Sequence, residues 1–420
     1  MRYEAPTRSG VRRMRHMMSS TGDGNDAARV FQRLFLMSRL SEQPRAILVD
    51  VIPPQIDKPT AERRLAELEQ LTRTYGGMII VRLMQRRATP DYRTYIGSGK
   101  ISEIIALAKQ EHAELLIINN LLKPKQLFEI EELIRKARAS LVVWERVDLI
   151  LNIFAKHATT AESKLQIKLA ALRHMGPRIF GMGHELMQQA GGIGSRGAGE
   201  TNTEMMRRHL ADQERHVKKM LDRVAVAHAG HRRHRVRQGF KTVSIVGYTN
   251  AGKSSLLRAL TQKQTLVEDA LFATLDTRVG KLWTPGGERV LLSDTIGFIQ
   301  DLPPRLIDAF RSTLEETINA HLLLHVIDVS DPCFEQKIME VDSVLDELGI
   351  RDAPQLYAFN KTDAAKQLAR RSLLKKYRVN TPVFVSCTTG EGLPQLSRTI
   401  LRRLSKPAAT VYTHGDDKSI

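Results

Sequence analysis

Residues 247–254 combine the side chains and the spacing that bind the phosphate groups of a nucleotide. The segment reads Gly-Tyr-Thr-Asn-Ala-Gly-Lys-Ser and fits the pattern G-x-x-x-x-G-K-[ST]. In this pattern the glycines let backbone N–H groups point at phosphate oxygens, the lysine reaches the β- and γ-phosphates, and the serine ligates Mg²⁺. We therefore expect every residue of the segment to contact the nucleotide: Gly247, Tyr248, Thr249, Asn250, Ala251, Gly252, Lys253 and Ser254.

The runs beside this segment favour a phosphate-binding loop over an ordinary glycine-rich turn. Residues 242–246 are mostly β-branched or apolar, which is typical of a buried parallel strand. Residues 255–260 have helical character. A strand before the loop and a helix after it are the context that the pattern requires.

A second segment predicts the base, because the phosphate loop alone does not choose between ATP and GTP. An apolar run at residues 355–359 is followed by Asn360, Lys361, Thr362 and Asp363. The Asp363 carboxylate can accept from N1–H and N2–H₂ of guanine, whereas adenine would leave this carboxylate unpaired. Asn360 can donate to the purine N7, and the stem of Lys361 can lie along the base. The segment predicts GTP as the substrate.

Two segments between these predict contacts to the γ-phosphate and the metal ion. The first comprises Asp294, Thr295, Ile296 and Gly297. We expect Asp294 to hold Mg²⁺ through water and the Gly297 N–H to meet the γ-phosphate. The second contains five expected nucleotide contacts: Phe272, Ala273, Thr274, Leu275 and Asp276. Thr274 is the expected switch residue that closes on Mg²⁺ and the γ-phosphate, with Thr277 as the alternative.

A fifth segment completes the set. Ser386, Cys387 and Thr388 follow an apolar run at residues 382–385 and can offer a backbone N–H to guanine O6. Five elements in this order predict a Mg²⁺-dependent enzyme that hydrolyses GTP. Its expected catalytic residues are Lys253, Thr274 and Gly297, and its expected metal ligands are Ser254 and Thr274.

The residue after Gly297 is Phe298, whose side chain neither donates nor accepts a hydrogen bond. In the best-known small GTPases this position carries a glutamine that orients the attacking water. We therefore expect slow intrinsic hydrolysis that another factor accelerates. The alternative is that a nearby polar residue orients the water.

Composition indicates a reducing compartment and no membrane span. The two cysteines, Cys333 and Cys387, are far apart and fit neither a zinc pattern nor a disulfide framework. No stretch approaches the length of an apolar transmembrane helix. The first 45 residues hold nine arginines and four acidic residues. We expect a basic, disordered arm there, with an Arg-rich transit peptide as the alternative.

Charge is distributed unevenly along the 420 residues, whose net charge is +18. Residues 241–420 carry 23 basic and 21 acidic residues, a net charge of +2. Residues 1–240 carry 41 basic and 25 acidic residues, a net charge of +16. This asymmetry favours a polyanionic partner for the first 240 residues, although a solvated basic surface is the alternative.

Alternating apolar runs predict an N-terminal α/β domain with a largely parallel sheet. The expected strands are residues 46–51, 78–83, 115–118 and 141–144, and the expected helices are 59–75, 101–111 and 124–138. Residues 97–100 are expected to start a helix.

Two long amphipathic helices that pair antiparallel are expected between residues 161 and 238. Nine residues carry the predicted apolar seam: Leu165, Leu169, Leu172, Ile179, Leu210, Gln213, Val217, Met220 and Val224. The basic stretch at residues 231–237 is expected to contact phosphates, since no cysteine accompanies its histidines to form a zinc site.

A glycine-rich loop at residues 191–201 separates the two helices, with five glycines in nine residues. Such a loop costs more chain entropy than a helical turn requires. We expect its backbone N–H groups and Arg196 to approach a phosphate backbone, with a flexible connector as the alternative.

Taken together, these segments resemble the HflX family of ribosome-associated GTPases. The resemblance rests on G-Y-T-N-A-G-K-S-S-L, L-F-A-T-L-D, D-T-I-G-F-I, N-K-T-D and G-G-I-G-S-R-G-A-G-E-T, and covers about residues 45–405. It implies an N-terminal α/β domain with a helical hairpin, followed by a P-loop GTPase domain. It also implies binding to the large ribosomal subunit, with the glycine-rich loop near its catalytic RNA.

The sequence therefore predicts five parts: an arm (1–45), an α/β domain (46–160), the hairpin (161–238), the GTPase domain (241–405) and a tail (406–420). We expect a cytoplasmic, monomeric GTPase that binds the large ribosomal subunit and its rRNA and dissociates or rescues stalled or idle ribosomes. One alternative is a GTP-regulated RNA-binding or remodelling protein that does not split ribosomes. Another is a membrane-surface GTPase that uses the basic arm.

Overall fold

Two predominantly parallel β-sheets flanked by helices organise the chain. The computed structural model describes residues 40–189, 202–261, 278–282, 289–294, 297–298, 306, 309–365 and 369–405. The chain divides into two compact units. The first comprises residues up to Lys156 together with Leu165–Met220, and the second comprises His157–Lys164 together with residues from Leu221 onward.

Several predictions concern residues outside the described ranges. They are the arm up to residue 39, the glycine-rich loop 191–201 with Arg196, and the tail 406–420. The switch segment also lies outside these ranges: Phe272, Ala273, Thr274, Leu275, Asp276 and Thr277. So do Thr295 and Ile296.

The first unit is built on a four-stranded sheet in the order β2-β1-β3-β4, with all neighbouring pairs parallel. The strands are β1 (Arg45–Ile52), β2 (Met78–Arg86), β3 (Leu115–Ile118) and β4 (Val142–Glu145). The first three connecting helices are α1 (Lys58–Tyr75), α2 (Ser98–Gln110) and α3 (Pro124–Lys136). All four expected strands and three expected helices of this region are present, and α2 begins at Ser98, within the segment 97–100 that was expected to start it. The expected α/β class is confirmed.

A helix that the sequence analysis did not predict, α4 (Arg146–His157), follows β4 with no residue between them. Its start is stabilised by Asp148, whose Oδ2 accepts a hydrogen bond from the Glu145 N–H at 3.0 Å. Asp148 lies three residues after Glu145, the residue that precedes the helix. A carboxylate at this position that accepts from the N–H of the preceding residue is half of a capping box. Its polar residues Asp148, Asn152 and Lys156 are spaced four residues apart, which is a helical period that the sequence-based prediction overlooked.

The predicted helical pair is present as α5 (Ala161–Gln189) and α6 (Asn202–Arg237). Arg173 pairs with Glu214 at 3.1 Å, and Glu162 lies 3.5 Å from His228. From Glu162 to Arg173 the chain advances along α5, while the partners go back along α6 from His228 to Glu214. The two helices therefore run antiparallel. Of the predicted seam, Leu169, Leu172, Leu210 and Val217 are buried. Met220 is exposed and Leu221 is buried instead, because α6 follows its own period of 3.6 residues rather than a strict heptad.

The second unit contains a six-stranded sheet in the order β10-β9-β8-β5-β7-β6. Its strands are β5 (Lys241–Val246), β6 (Arg278–Lys281), β7 (Val290–Asp294), β8 (Leu322–Asp328), β9 (Gln355–Asn360) and β10 (Val383–Phe384). All pairs are parallel except β6 with β7. The helices are α7 (Lys253–Thr261), α8 (Arg311–Ile318), α9 (Phe334–Glu347), α10 (Arg370–Lys376) and α11 (Leu393–Ser405). The parallel strands end on one edge, where their following loops meet.

The basic stretch at residues 231–237, expected to contact phosphates, is partly committed to the protein itself. Arg232 pairs with Glu315 at 2.9 Å, and Arg235 pairs with Glu316 at 2.6 Å, both on α8. Sequence spacing does not show that two glutamates about 80 residues later lie beside these two arginines, and the expected contact with phosphates stays a prediction. The described part of the chain holds no group of three His, Cys, Asp or Glu residues arranged to bind a metal.

No helix within the described ranges is both long enough and apolar enough to span a membrane.

A buried ionic network ties α5 to the β4–α4 junction in the first unit. Arg178 lies 2.6 Å from Glu145 and 2.9 Å from Asp148, and His174 lies 3.1 and 3.2 Å from the same two carboxylates. Burial by itself would raise the pKa of Asp148, but Arg178 and His174 outweigh this effect and hold the pKa well below its ordinary value. Burial would likewise lower the pKa of His174, but its hydrogen bonds to Asp148 and Glu145 raise it above 6.5.

We predict that His174 stabilises the first unit mainly at acidic pH. A histidine whose pKa is raised by folding contributes fully below its unfolded-state pKa, and the contribution is lost as pH rises through the folded-state value. His174→Gln should lower the free energy of unfolding by roughly 1.5–3 kcal/mol at pH 5, and by less at pH 8. Urea unfolding followed by Trp144 fluorescence in a Trp283→Phe background measures this difference.

The matched control is His216→Gln, which changes an exposed histidine of α6 in the same unit. It should leave the pH dependence of stability as in the parent. A His174→Gln effect that is equal at pH 5 and pH 8 would contradict a charged His174.

Candidate functional site

The predicted phosphate loop connects β5 to α7 and lies at the edge of the sheet where the parallel strands end. The backbone requires glycine at two of its positions. Gly247 has φ 149°, and a Cβ there would collide with the Val326 carbonyl oxygen of β8. Gly252 has φ 92°, and a Cβ there would collide with the Asn360 side-chain amide. Asn250 adopts φ 60°, which completes a turn that opens directly into α7.

Lys253 is the first residue of α7 and its side chain is buried. Its Nζ donates to the Gly247 carbonyl at 3.0 Å and to the Tyr248 carbonyl at 2.7 Å. These bonds place the ammonium inside the curve of the loop and use two of its three N–H groups. Burial lowers the pKa of Lys253 to about 8, although the nearby Asp294 carboxylate opposes that shift.

Ser254 and Asp294 bring two oxygen atoms together beside this ammonium. The Ser254 Oγ donates to Asp294 Oδ2 at 2.7 Å, and Asp294 is fully buried as the last residue of β7. Hydroxyl and carboxylate oxygens are the ligands that hard cations such as Mg²⁺ prefer. The two residues therefore fit a magnesium site. They are 40 residues apart in sequence, and the fold brings them together.

Gly297 and Phe298 lie against the phosphate loop. A Cβ at Gly297 would be 2.9 Å from Lys253 Nζ, so the backbone approaches the ammonium closely here. The Phe298 N–H donates to the Gly247 carbonyl at 3.2 Å, and its carbonyl accepts from the Thr249 N–H at 2.7 Å. The Phe298 side chain is 2% exposed. Its ring is therefore packed into the protein and supplies no polar group to the site.

Asn360 links the phosphate loop to the segment predicted to bind the base. Its Nδ2 donates to the Ala251 carbonyl at 2.9 Å, and its Oδ1 accepts from the Cys387 N–H at 3.4 Å. Asn360 was predicted to contact the purine, and its bridging role was not predicted. The signal for it was the burial expected at the end of an apolar strand, where an amide must find protein partners.

The other residues of the N-K-T-D segment point in different directions. Lys361 has φ 61°, and its Nζ lies 2.7 Å from Asp328 Oδ2. Thr362 is buried, and its hydroxyl donates to the Val385 carbonyl at 3.2 Å. Asp363 is exposed, so its carboxylate is open to a ligand.

The Ser386–Thr388 segment has three amides, of which one is already engaged at short distance. The Ser386 N–H donates to the Glu391 carbonyl at 3.0 Å. The Cys387 amide makes only the long bond to Asn360, and the Thr388 amide has no acceptor among the described residues. Cys387 and Thr388 therefore remain the candidates for donation to guanine O6. Burial raises the pKa of the Cys387 thiol to about 11, which keeps it neutral.

Two side chains near the phosphate loop were not identified from the sequence. His325 of β8 is buried, and burial together with the charge of Lys253 lowers its pKa to about 3, so it is neutral. Lys337 of α9 lies 4.5 Å from the centre of the Tyr248 ring. His325 could have been noticed as the one ionisable residue inside the apolar run at residues 322–327.

Three models of protein domain families match consecutive parts of the chain. The GTP-binding GTPase N-terminal model matches residues 62–155, and the GTP-binding GTPase middle region model matches residues 157–235. The model described as 50S ribosome-binding GTPase matches residues 242–361. The prediction of a P-loop GTPase domain after an N-terminal α/β domain is confirmed.

The chain also aligns with a solved structure, that of a GTP-binding protein from the hyperthermophilic archaeon Sulfolobus solfataricus in complex with GDP. It is 22% identical, with a TM-score of 0.46, and the alignment covers 86% of this chain and 99% of that chain.

Curated relatives match over most of the chain. The GTPase HflX of Caldanaerobacter subterraneus subsp. tengcongensis is 39% identical over 370 residues, which are 88% of this chain and 83% of that protein. The GTPase HflX of Escherichia coli is 36% identical over 376 residues, which are 89% and 86% of the two chains. The resemblance drawn from the motifs is thereby confirmed: the chain belongs to the HflX family of GTPases, which hydrolyse GTP.

Proposed function

We propose that this GTPase binds the large ribosomal subunit and its rRNA and, with GTP, dissociates or rescues stalled or idle ribosomes. The observation that carries the proposal is the match of residues 242–361 to a 50S ribosome-binding GTPase domain. The net charge of +16 on residues 1–240 supports a polyanionic partner such as rRNA. We also propose that the protein acts as a cytoplasmic monomer, partly bound to ribosomes.

The phosphate groups of GTP are proposed to bind within the curve of the phosphate loop. Lys253 keeps two N–H groups on loop carbonyls and directs the third at phosphate oxygens, so the ammonium arrives already oriented. The Gly297 N–H and Thr274 are proposed to contact the γ-phosphate. The remaining loop residues are proposed to surround the phosphates: Gly247, Tyr248, Thr249, Asn250, Ala251 and Gly252.

Magnesium is proposed to be held by Ser254 and Thr274, with Asp294 acting through water. A magnesium ion held there would neutralise charge on the phosphate groups. The hydrogen bond between Ser254 and Asp294 orients the serine oxygen and keeps the carboxylate in place beside it. The rest of the switch segment, Phe272, Ala273, Leu275 and Asp276, is proposed to follow Thr274 onto the nucleotide, as are Thr295 and Ile296.

Guanine is proposed to bind between the N-K-T-D segment and the Ser386–Thr388 segment, with Asp363 selecting the base. Asp363→Asn replaces an acceptor with a donor, so the variant should prefer xanthosine triphosphate, whose base offers the complementary pattern. We expect its affinity for GTP to fall by at least about tenfold, since a mismatched polar pair costs roughly 1.4 kcal/mol or more. Titration with both nucleotides measures the switch. An unchanged preference for GTP would show that Asp363 does not read the base.

Hydrolysis is proposed to be slow until the large subunit completes the site. The buried Phe298 ring cannot orient the attacking water, and Lys253 with Mg²⁺ supplies only charge neutralisation. Large subunits should accelerate single-turnover hydrolysis by about a hundredfold, or about 2.7 kcal/mol. Sedimentation with a non-hydrolysable GTP analogue should show tighter binding than with GDP. Fast turnover that subunits do not change would overturn this proposal, and binding without subunit dissociation would favour an RNA-remodelling role.

The glycine-rich loop is proposed to approach rRNA. Gly194→Val together with Gly197→Val adds side chains that block close backbone approach and penalise positive φ. We expect near-normal GTP affinity but loss of the stimulation by large subunits. The stimulated rate and the affinity for GTP are measured on the same preparation. Full stimulation in this double variant would instead support a flexible connector.

A further inference from the structure

Asp328 is the last residue of β8 and lies beside the N-K-T-D segment, which begins at the end of the neighbouring strand β9. It pairs in register with Asn360, the last residue of β9, and the Val329 N–H donates to the Asn360 carbonyl at 3.1 Å. The chain then turns at Lys361 with φ 61°, a left-handed conformation that non-glycine residues seldom adopt. This turn directs the Lys361 side chain back toward the end of β8, where its Nζ lies 2.7 Å from Asp328 Oδ2.

The Asp328 carboxylate is itself held on its other oxygen. Oδ1 accepts from the Ser330 N–H at 3.0 Å and from the Ser330 hydroxyl at 2.5 Å. Because the turn at Ser330 fixes Oδ1, the other carboxylate oxygen, Oδ2, has a defined direction toward Lys361. The side chains of Lys361 and Asp328 are 32% and 18% exposed, so water screens this pair less than a pair on the open surface.

We propose that Asp328 is a positioning residue for guanine-nucleotide binding. By holding Lys361 Nζ, it fixes the aliphatic stem of that lysine in one conformation before the base arrives. Ordering the stem in advance removes side-chain entropy that binding would otherwise cost. This inference rests on the proposed contact between the Lys361 stem and the base, and it adds a residue outside the motif segments.

The test begins with Asp328→Asn, which keeps an acceptor oxygen for Ser330 but removes the charge that holds Lys361. Affinity for GTP and GDP should each fall by about fivefold to tenfold, the size expected when a long, flexible side chain must be ordered on binding. The two nucleotides should lose affinity equally, because they share the base and differ only in phosphate number. Asp328→Glu restores a carboxylate on a longer stem, which the flexible lysine can follow, and should recover most of the loss.

A double-mutant cycle separates positioning from a merely structural role. Lys361→Met keeps an apolar stem without the ammonium. If Asp328 acts through Lys361, then Asp328→Asn should cost nothing further in the Lys361→Met background. If Asp328 served only the turn at Ser330, the cost would be equal in both backgrounds, and that result would overturn the proposal. Unchanged affinity in the Asp328→Asn single variant would overturn it as well.

A control variant completes the experiment. Asp346→Asn removes an exposed carboxylate of α9 and should leave affinity unchanged. The outcome for Asp363→Asn tests the base site itself. If Asp363→Asn shifts the preference to xanthosine triphosphate while Asp328→Asn leaves nucleotide affinity unchanged, the positioning role alone is rejected.

Discussion

The candidate site depends on one buried amide. Asn360 donates to the phosphate loop at Ala251 and accepts from the backbone at Cys387, so a single side chain sets the distance between the two halves of the site. Those halves come from parts of the chain more than 100 residues apart. The same amide lies so close to Gly252 that only glycine is accommodated there. A rigid link of this kind would let the proposed phosphate and base contacts form on one preformed frame.

Burial around the phosphate loop then sets the charge of the site. His325 is neutral because it is buried next to Lys253, and Lys253 is the cation at the centre of the loop. A charged His325 would repel the Lys253 ammonium, and it would add to the positive charge that the Asp294 carboxylate balances. Keeping the histidine neutral leaves Lys253 and Asp294 as the ionic groups of the described phosphate-loop region that the phosphates and a metal ion would meet. The chemistry expected of the motif thus depends on a residue of β8 that belongs to none of the motif segments.

Sequence reasoning predicted the residues whose roles follow from local spacing. The phosphate loop, the strand–helix context and the N-K-T-D segment could be recognised because their geometry is set within a few residues. The bridging role of Asn360, the pairing of Lys361 with Asp328 and the ion pairs of Arg232 and Arg235 could not. Each of these contacts joins residues that are far apart in sequence, and the order of residue types along the chain does not indicate such contacts. The helix α4 was missed for a different reason: it follows β4 with no turn residue between them, although Asp148, Asn152 and Lys156 mark its period.

The two sheets show why topology alone does not make a site. In both, parallel strands end on one edge, where a crevice forms if the connections on either side of it diverge. In the first sheet that position lies between β1 and β3, where Asn120 bonds both the N–H and the carbonyl of Val51 at 2.9 Å. Beside it, Asp50 pairs with Arg64 at 3.1 Å. In the second sheet the loop after β5 instead curves round the ammonium of Lys253. At the same edge of the sheet, polar side chains therefore bond the protein in one unit, whereas a glycine-containing loop surrounds a cation in the other.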